Sequence, residues 1–335
     1  MNKKQLLVSL AALLLPAGAA AQYVIYPVPQ EQVAGTDKVN FTSTVTLVCE
    51  EGIDAYTVNR AKQVLTEAGL KVETANEPSA NQSNVLVGVK GSKGVADAKA
   101  EALGLKMDVF GLANKYDRHL LSLSDGGNGR ADLLILGENT DAAFFGFASL
   151  EQMFDAGTQA MAVTTLYDYA DQKSRGLVEG YYGYPYTVEV KKDLMRFMMR
   201  HKMNTYMYGA KSDPYHSQFW GDAYPESLTP EQVNNGWLSQ DMIKDITSTS
   251  HETKVNFIWA IHPGNNFVSN GQTVINQIMG KYEKIVRPGR TPVCSVCRRR
   301  GHTEQRCRHE EKCRPADGSA TSHRGQMEHA GNGCQ

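Results

Sequence analysis

The spacing with the most definite chemical meaning lies near the carboxyl terminus. Cys294-x-x-Cys297, His302 and Cys307 form the pattern C-x2-C-x4-H-x4-C. Three thiolates and an imidazole at those intervals can wrap a tetrahedral Zn²⁺ in a knuckle. Arg298, Arg299, Arg300, Arg306 and Arg308 surround it, so the segment has the charge to grip single-stranded nucleic acid. It lacks the aromatic side chains that would stack on bases.

A second concentration runs from Glu179 to His216. Glu179 closes an apolar run, and a carboxylate buried there calls for a lysine or arginine partner. Asp213 precedes Pro214, a turn signal that fits loop shaping as well as ligand contact. Tyr181, Tyr182, Tyr184 and Tyr186 could form a platform for a sugar ring, although such clusters are more often ordinary packing. His216, His262 and Tyr215 fall near predicted strand ends, without the H-x-E or H-E-x-x-H spacing of metal ligands.

These side chains need elements to carry them. Arg175-Gly-Leu-Val-Glu-Gly180 predicts a buried strand ending in a Gly/Pro loop. Val190, Leu194, Phe197 and Met198 recur at helical spacing within 188–201, and Asn204 to Tyr208 predicts a second strand. Strand, helix, strand with short links is the unit of a parallel sheet, whose carboxyl edge is where such folds build sites. A third strand is predicted from Val255 to Ala260, with helices over 237–248 and 272–284.

The runs RGLVEGYYGYPY and KMNTYMYGAKSDPYH resemble the start of the catalytic barrel of glycoside hydrolase family 84. These are the bacterial β-N-acetylglucosaminidases related to O-GlcNAcase and to some so-called hyaluronidases. The resemblance covers roughly residues 22–285 and is tightest from Arg175 onward. It implies a small α/β accessory domain, then about three strand-helix units of a (β/α)8 TIM-type barrel, too few to close one. It implies hydrolysis of terminal β-linked N-acetylglucosamine from glycans or glycoproteins, without metal or cofactor. The substrate's own 2-acetamido group serves as nucleophile, assisted by a pair of aspartates. Gly180 matches the glycine whose backbone approaches the sugar, and Lys211 the lysine that bonds ring hydroxyls; Asp213 and Tyr181 are further candidates for sugar contact.

A chain of 335 residues with net charge −1 predicts about two domains and gives no electrostatic case for nucleic acid or an acidic membrane. Residues 1–21 have a basic start, an apolar run from Leu6 to Leu15 and Ala19-Ala20-Ala21 before Gln22. That is the pattern of a cleaved export signal, too short to span a bilayer; it predicts a periplasmic or extracellular product. Residues 22–170 predict the accessory domain, with strands at 43–49, 84–89, 119–123, 132–137 and 162–167 and helices at 55–68 and 141–154. Asp125 to Gly129 is a turn by composition, and the glycines at 88–94 lack phosphate-binding spacing. The barrel portion occupies 171–285. Nothing in the sequence fixes the oligomeric state.

From Val286 to Gln335 there is no Leu, Ile, Phe, Tyr or Trp, and such a segment cannot bury a core of its own. It predicts a disordered tail. In the resembling family the catalytic aspartates lie on a strand of the type Y-x-L-G-V-R-x-F-A-V-F-x-D-D, after a K-Y-E-K run present here as Lys281 to Lys284. Reading the degenerate codons of Val286 to Arg300 from their second base permits Y-D-L-G-V-R-Q-F-A-V-F, then A or V, then D-D. The aspartates then fall across Arg298 to Arg300, in the expected register. A frameshifted tail therefore stands against a zinc knuckle, and the chain as written has no catalytic residue in frame and is expected to be inactive. The competing class is a non-catalytic carbohydrate binder, or a zinc-dependent nucleic-acid binder.

Overall fold

The computed structural model describes residues 23–180, 185–210, 212–219, 221–260 and 271–285. Residues 31–170 build a mixed seven-stranded sheet, and residues 176–259 a separate parallel sheet of three strands. The chain is an α/β protein: an accessory domain followed by three strand-helix units of a barrel.

In chain order the accessory domain comprises β1 (Glu31–Val39), β2 (Thr44–Cys49), α1 (Ala55–Glu67), β3 (Lys71–Thr74), β4 (Ser83–Val89), α2 (Val95–Ala102), β5 (Tyr116–Asp125), β6 (Ala131–Gly137), α3 (Thr140–Met153) and β7 (Met161–Ala170). The sheet order is β1-β7-β5-β6-β4-β2-β3. Strands β2, β3, β4 and β6 are mutually parallel, and β5, β7 and β1 join antiparallel. The central strands β4 and β6 are buried along nearly their whole length because α1 and α3 cover one face and α2, with the turn around Val109, covers the other. The edge strands β1 and β3 are polar and largely exposed, so their sequences carry no apolar alternation by which to predict them.

Local signals set the boundaries. The side chain of Asp54 caps α1 by accepting from the Thr57 N–H at 2.8 Å, and Asn139 caps α3 through the Ala142 N–H at 2.9 Å. The Asp125 to Gly129 turn closes the β5–β6 hairpin, with Asp125 Oδ1 accepting from the N–H groups of Gly127 and Gly129. The glycines after β4 are explained by a carboxylate. Glu50 reaches across from β2, Oε1 accepting from the Ala96 N–H at 2.6 Å and Oε2 from the Ser92 hydroxyl at 2.8 Å. A Cβ on Gly88 or Gly94 would lie 2.4 Å from that carboxylate, so the start of α2 receives its negative charge from the protein itself.

The barrel portion comprises β8 (Gly176–Glu179), α4 (Val188–Arg200), β9 (Thr205–Tyr208), the short helices α5 (Pro214–Ser217) and α6 (Pro230–Asn234), α7 (Gln240–Glu252), β10 (Asn256–Trp259) and α8 (Gly271–Ile285). The strands lie in the order β10-β9-β8, in register from Gly176, Thr205 and Asn256. Met195 and Met198 of α4 and Ile243 and Ile246 of α7 pack with Tyr206, Tyr208 and Trp259 into one core. The expectation of a buried first strand is corrected here. Strand β8 lies at the sheet edge and Val178 is 70 % exposed, because β9 covers only one side of it.

Among the described residues no helix is long and apolar enough to cross a membrane. The expected signal segment 1–21 and the tail 286–335, with the sequence expectation of disorder there, lie outside the described residues.

Candidate active-site edge

The carboxyl ends of β8, β9 and β10 lie side by side, and hydrogen bonding continues past them. The Gly209 N–H donates to the Glu179 carbonyl at 2.7 Å and the Ala260 N–H to the Tyr208 carbonyl at 2.8 Å. Gly180 follows directly on β8 and is exposed. Among the described residues, a Cβ built there would meet only Val178 Cγ1, at 3.7 Å. None of them crowds this glycine, as close approach of a ligand to its backbone requires.

Glu179, one residue earlier, points to the opposite side. Its carboxylate and the Lys191 ammonium of α4 are each 1 % exposed, with Nζ 3.2 Å from Oε1. The contact is a close ion pair whose angles are poor for a hydrogen bond. Oε2 accepts from the Tyr206 hydroxyl at 2.6 Å, and Nζ also donates to the Tyr186 carbonyl. Burial pulls the Lys191 pKa below its ordinary value, opposed by the Glu179 charge. The cation expected for Glu179 is thus supplied by the helix that follows its own strand.

Asp213 takes the loop-shaping role of the two open to it, anchoring the loop after β9. It is completely buried. Oδ2 accepts from the Tyr208 hydroxyl at 2.8 Å and the Tyr224 hydroxyl at 2.6 Å, while Oδ1 caps α5 through the Tyr215 N–H at 3.0 Å. Trp259 Nε1–H donates to the Tyr224 oxygen at 2.9 Å, so the network spans β9, the loop and β10. Burial first, and then the Asp213 charge, push both phenols well above their usual pKa, leaving them neutral donors. His216 Nδ1–H donates to the Ala260 carbonyl, and the ring lies edge-on to Trp259. These groups hold the rim formed by the loop after β9. Among the described residues there is no cluster of three or more His, Cys, Asp or Glu able to hold a metal ion.

Tyr215 packs between Tyr224 and Trp237, and Tyr186 is exposed at the entry to α4. Lys211, Tyr181, Tyr182, Tyr184 and His262 lie outside the described residues, as do Cys294, Cys297, His302, Cys307, Arg298 and Arg299. Sequence reasoning missed Lys191, Tyr208, Tyr224 and Trp259. Only the polar-tipped Tyr206-x-Tyr208 alternation hinted that the strand's helix-facing side carries buried hydroxyls.

Comparison with known proteins agrees with this architecture. Residues 175–321 match the family profile described as beta-N-acetylglucosaminidase, a range that runs past Ile285. Residues 22–169 match the profile described as Glycosyl hydrolase family 20, domain 2. Protein O-GlcNAcase of Mus musculus is 28 % identical over 159 residues, covering 45 % of this chain and 16 % of that protein. The solved CpGH84D structure superposes with a TM-score of 0.68 at 33 % identity, covering 79 % of this chain and 42 % of that one. CpGH84B, at 23 % identity and a TM-score of 0.57, shares the fold over 79 % of this chain and 42 % of its own. The chain thus spans less than half the length of each of these proteins.

Proposed function

We propose, from the premise that this chain is a glycoside hydrolase of the family 84 β-N-acetylglucosaminidase type, that its site is built to hold a terminal β-linked N-acetylglucosamine. The reaction is retaining and substrate-assisted: the sugar's acetamido oxygen attacks the anomeric carbon, one aspartate orients that amide, and its neighbour protonates the leaving oxygen and then activates water. The observation that carries the reading is the exposed Gly180 at the carboxyl end of β8, uncrowded among the described residues, beside a loop locked by Asp213. Lys211 belongs to that loop in sequence and supplies the hydroxyl-binding cation.

The chain as translated lacks the aspartate pair, because residues 286–300 are read out of frame, and it does not turn over substrate. Its product is exported and cleaved before Gln22. An aryl N-acetylglucosaminide assay on the purified chain is expected to show no release of the aryl group, and appreciable turnover would overturn the inactivity. Resequencing the locus around the Ile285 codon is expected to reveal one inserted or missing base. Clean reads that keep Cys294 and Cys297 in frame with Gly180, with zinc retained by the protein, would favour the knuckle instead.

A further inference from the structure

Among the described residues, the charge pairs across the seam between the two domains have their cation on the barrel side and their carboxylate on the accessory side, apart from the Lys115–Asp171 pair at the linker itself. Arg175 Nη2 meets Asp117 Oδ2 at 2.6 Å, and Lys202 Nζ meets Asp168 Oδ2 at 2.5 Å. Lys254 Nζ is held between Asp54 Oδ2 at 2.7 Å and Asp141 Oδ1 at 2.6 Å, and Arg200 between Glu151 at 3.0 Å and Asp155 at 2.6 Å. Three of these cations stand just before a barrel strand: Arg175 before β8, Lys202 before β9, Lys254 before β10.

The two lysines occupy an unusual backbone position. Helix α4 ends with the Met203 N–H bonded to the Met198 carbonyl at 2.8 Å and the Lys202 N–H to the Met199 carbonyl at 3.3 Å. Helix α7 ends identically, Val255 to Ser250 at 3.1 Å and Lys254 to His251 at 3.3 Å. This paired ending puts its penultimate residue in the left-handed region, where glycine is the usual occupant. Here Lys202 has φ 55° and Lys254 φ 51°, and both are buried. A side chain that disfavours the turn is present twice, at equivalent places in successive units, and each time its ammonium reaches the accessory domain.

We propose that Lys202 and Lys254, with Arg175, are docking posts. The accessory domain is a base plate whose carboxylates fix the amino ends of three barrel strands, and through them the carboxyl edge that bears Gly180. The inference holds whether or not the site binds sugar, and its test reads no activity. Arg175 shows how directly a strand is tied: its Nη2 bonds Asp117, its Nε donates to the Lys202 carbonyl at 3.0 Å, and its own carbonyl accepts from the Asn204 and Thr205 N–H groups.

Backbone hydrogen exchange of the full chain, followed by mass spectrometry, tests the assignment. If the lysines only terminate helices, Lys202→Gly and Lys254→Gly relieve a strained turn, so exchange in β9 and β10 slows or stays unchanged. As docking posts they must be missed: exchange in Thr205–Tyr208 and Asn256–Trp259 is expected to accelerate at least about tenfold, with β4 and β6 of the accessory core unchanged. The partner side is read separately with Asp54→Asn plus Asp141→Asn, which keeps the α1 cap and leaves the barrel sequence intact. It should accelerate β10 more than β8, whereas Asp117→Asn should act on β8 first. Unchanged or slower exchange in the glycine variants, or uniform acceleration of both domains in the aspartate variants, would overturn the proposal. Should the glycine variants fail to fold, the strand-selective pattern of the aspartate variants decides it.

Discussion

The Glu179–Lys191 pair offers the most demanding check on how the first strand is held. Both side chains are almost wholly withdrawn from water, with their charged atoms 3.2 Å apart. Removing one partner from such a pair leaves an uncompensated buried charge and costs about 3–5 kcal/mol, whereas replacing both with apolar groups is often close to neutral. Further contacts modify the expectation. In Lys191→Met, Glu179 keeps the Tyr206 hydroxyl as donor; in Glu179→Leu, Lys191 keeps the Tyr186 carbonyl and the face of the Tyr208 ring, but among the described residues no carboxylate within ion-pair distance. Glu179→Leu should therefore be the worse single change. The double variant still takes the Glu179 carboxylate from the Tyr206 hydroxyl, at about 1–3 kcal/mol, so it should be less destabilised than either single change, with a coupling of at least about 2 kcal/mol. Urea unfolding followed by tryptophan fluorescence suits the cycle, because Trp220, Trp237 and Trp259 all lie beyond residue 175 and report the barrel portion alone. Single-variant losses that add to within about 0.5 kcal/mol in the double variant would show the charges to be uncoupled and the account of Glu179 wrong.

Asp213→Ala would leave two buried phenols and the Tyr215 N–H without their acceptor. A loss of about 3–5 kcal/mol in the same barrel transition is expected, with Asp213→Asn retaining part of it through the cap. A wild-type urea midpoint for Asp213→Ala would show that this carboxylate does not anchor the loop. In the accessory domain, burial lowers the His119 pKa from 6.5 to about 4. The unfolded chain takes up that proton first, so the stabilisation is complete above about pH 6.5 and is lost as the pH falls toward 4, by about 3 kcal/mol. Accessory-domain unfolding measured by circular dichroism between pH 7 and 4 should steepen accordingly, and His119→Gln should flatten that window; an identical slope in the variant would refute the assignment.

Much of the architecture could be read from local pattern. The apolar runs of β4 and β6, the helical spacing in α4 and the Asp125 to Gly129 turn each have a cause within a few neighbouring residues, and they appear where that cause places them. Strands β1 and β3 escaped because edge strands exposed to water need no apolar period. Glycines 88 and 94 were visible as an oddity, yet the carboxylate that requires them comes from Glu50, some forty residues away. Asp213 was undecidable in sequence, since Asp-Pro serves a turn equally well at the surface or in the interior. Its burial depends on Tyr224 and Trp259 arriving from later segments.

The sequence by itself determined the strand-helix alternation, the order of the two sheets and the Gly/Tyr-rich motif around Gly180, because periodicity, turn chemistry and motif spacing are local properties of the chain. Only the tertiary structure decided which charges are partners. Lys202 and Lys254 look like ordinary lysines beside a Lys-x-Asn repeat, until folding sets them against Asp168, Asp54 and Asp141. An ion pair formed across 34, 200 or 113 positions of sequence leaves no trace in local composition, since the energy that selects it exists only once both domains have excluded water from between them.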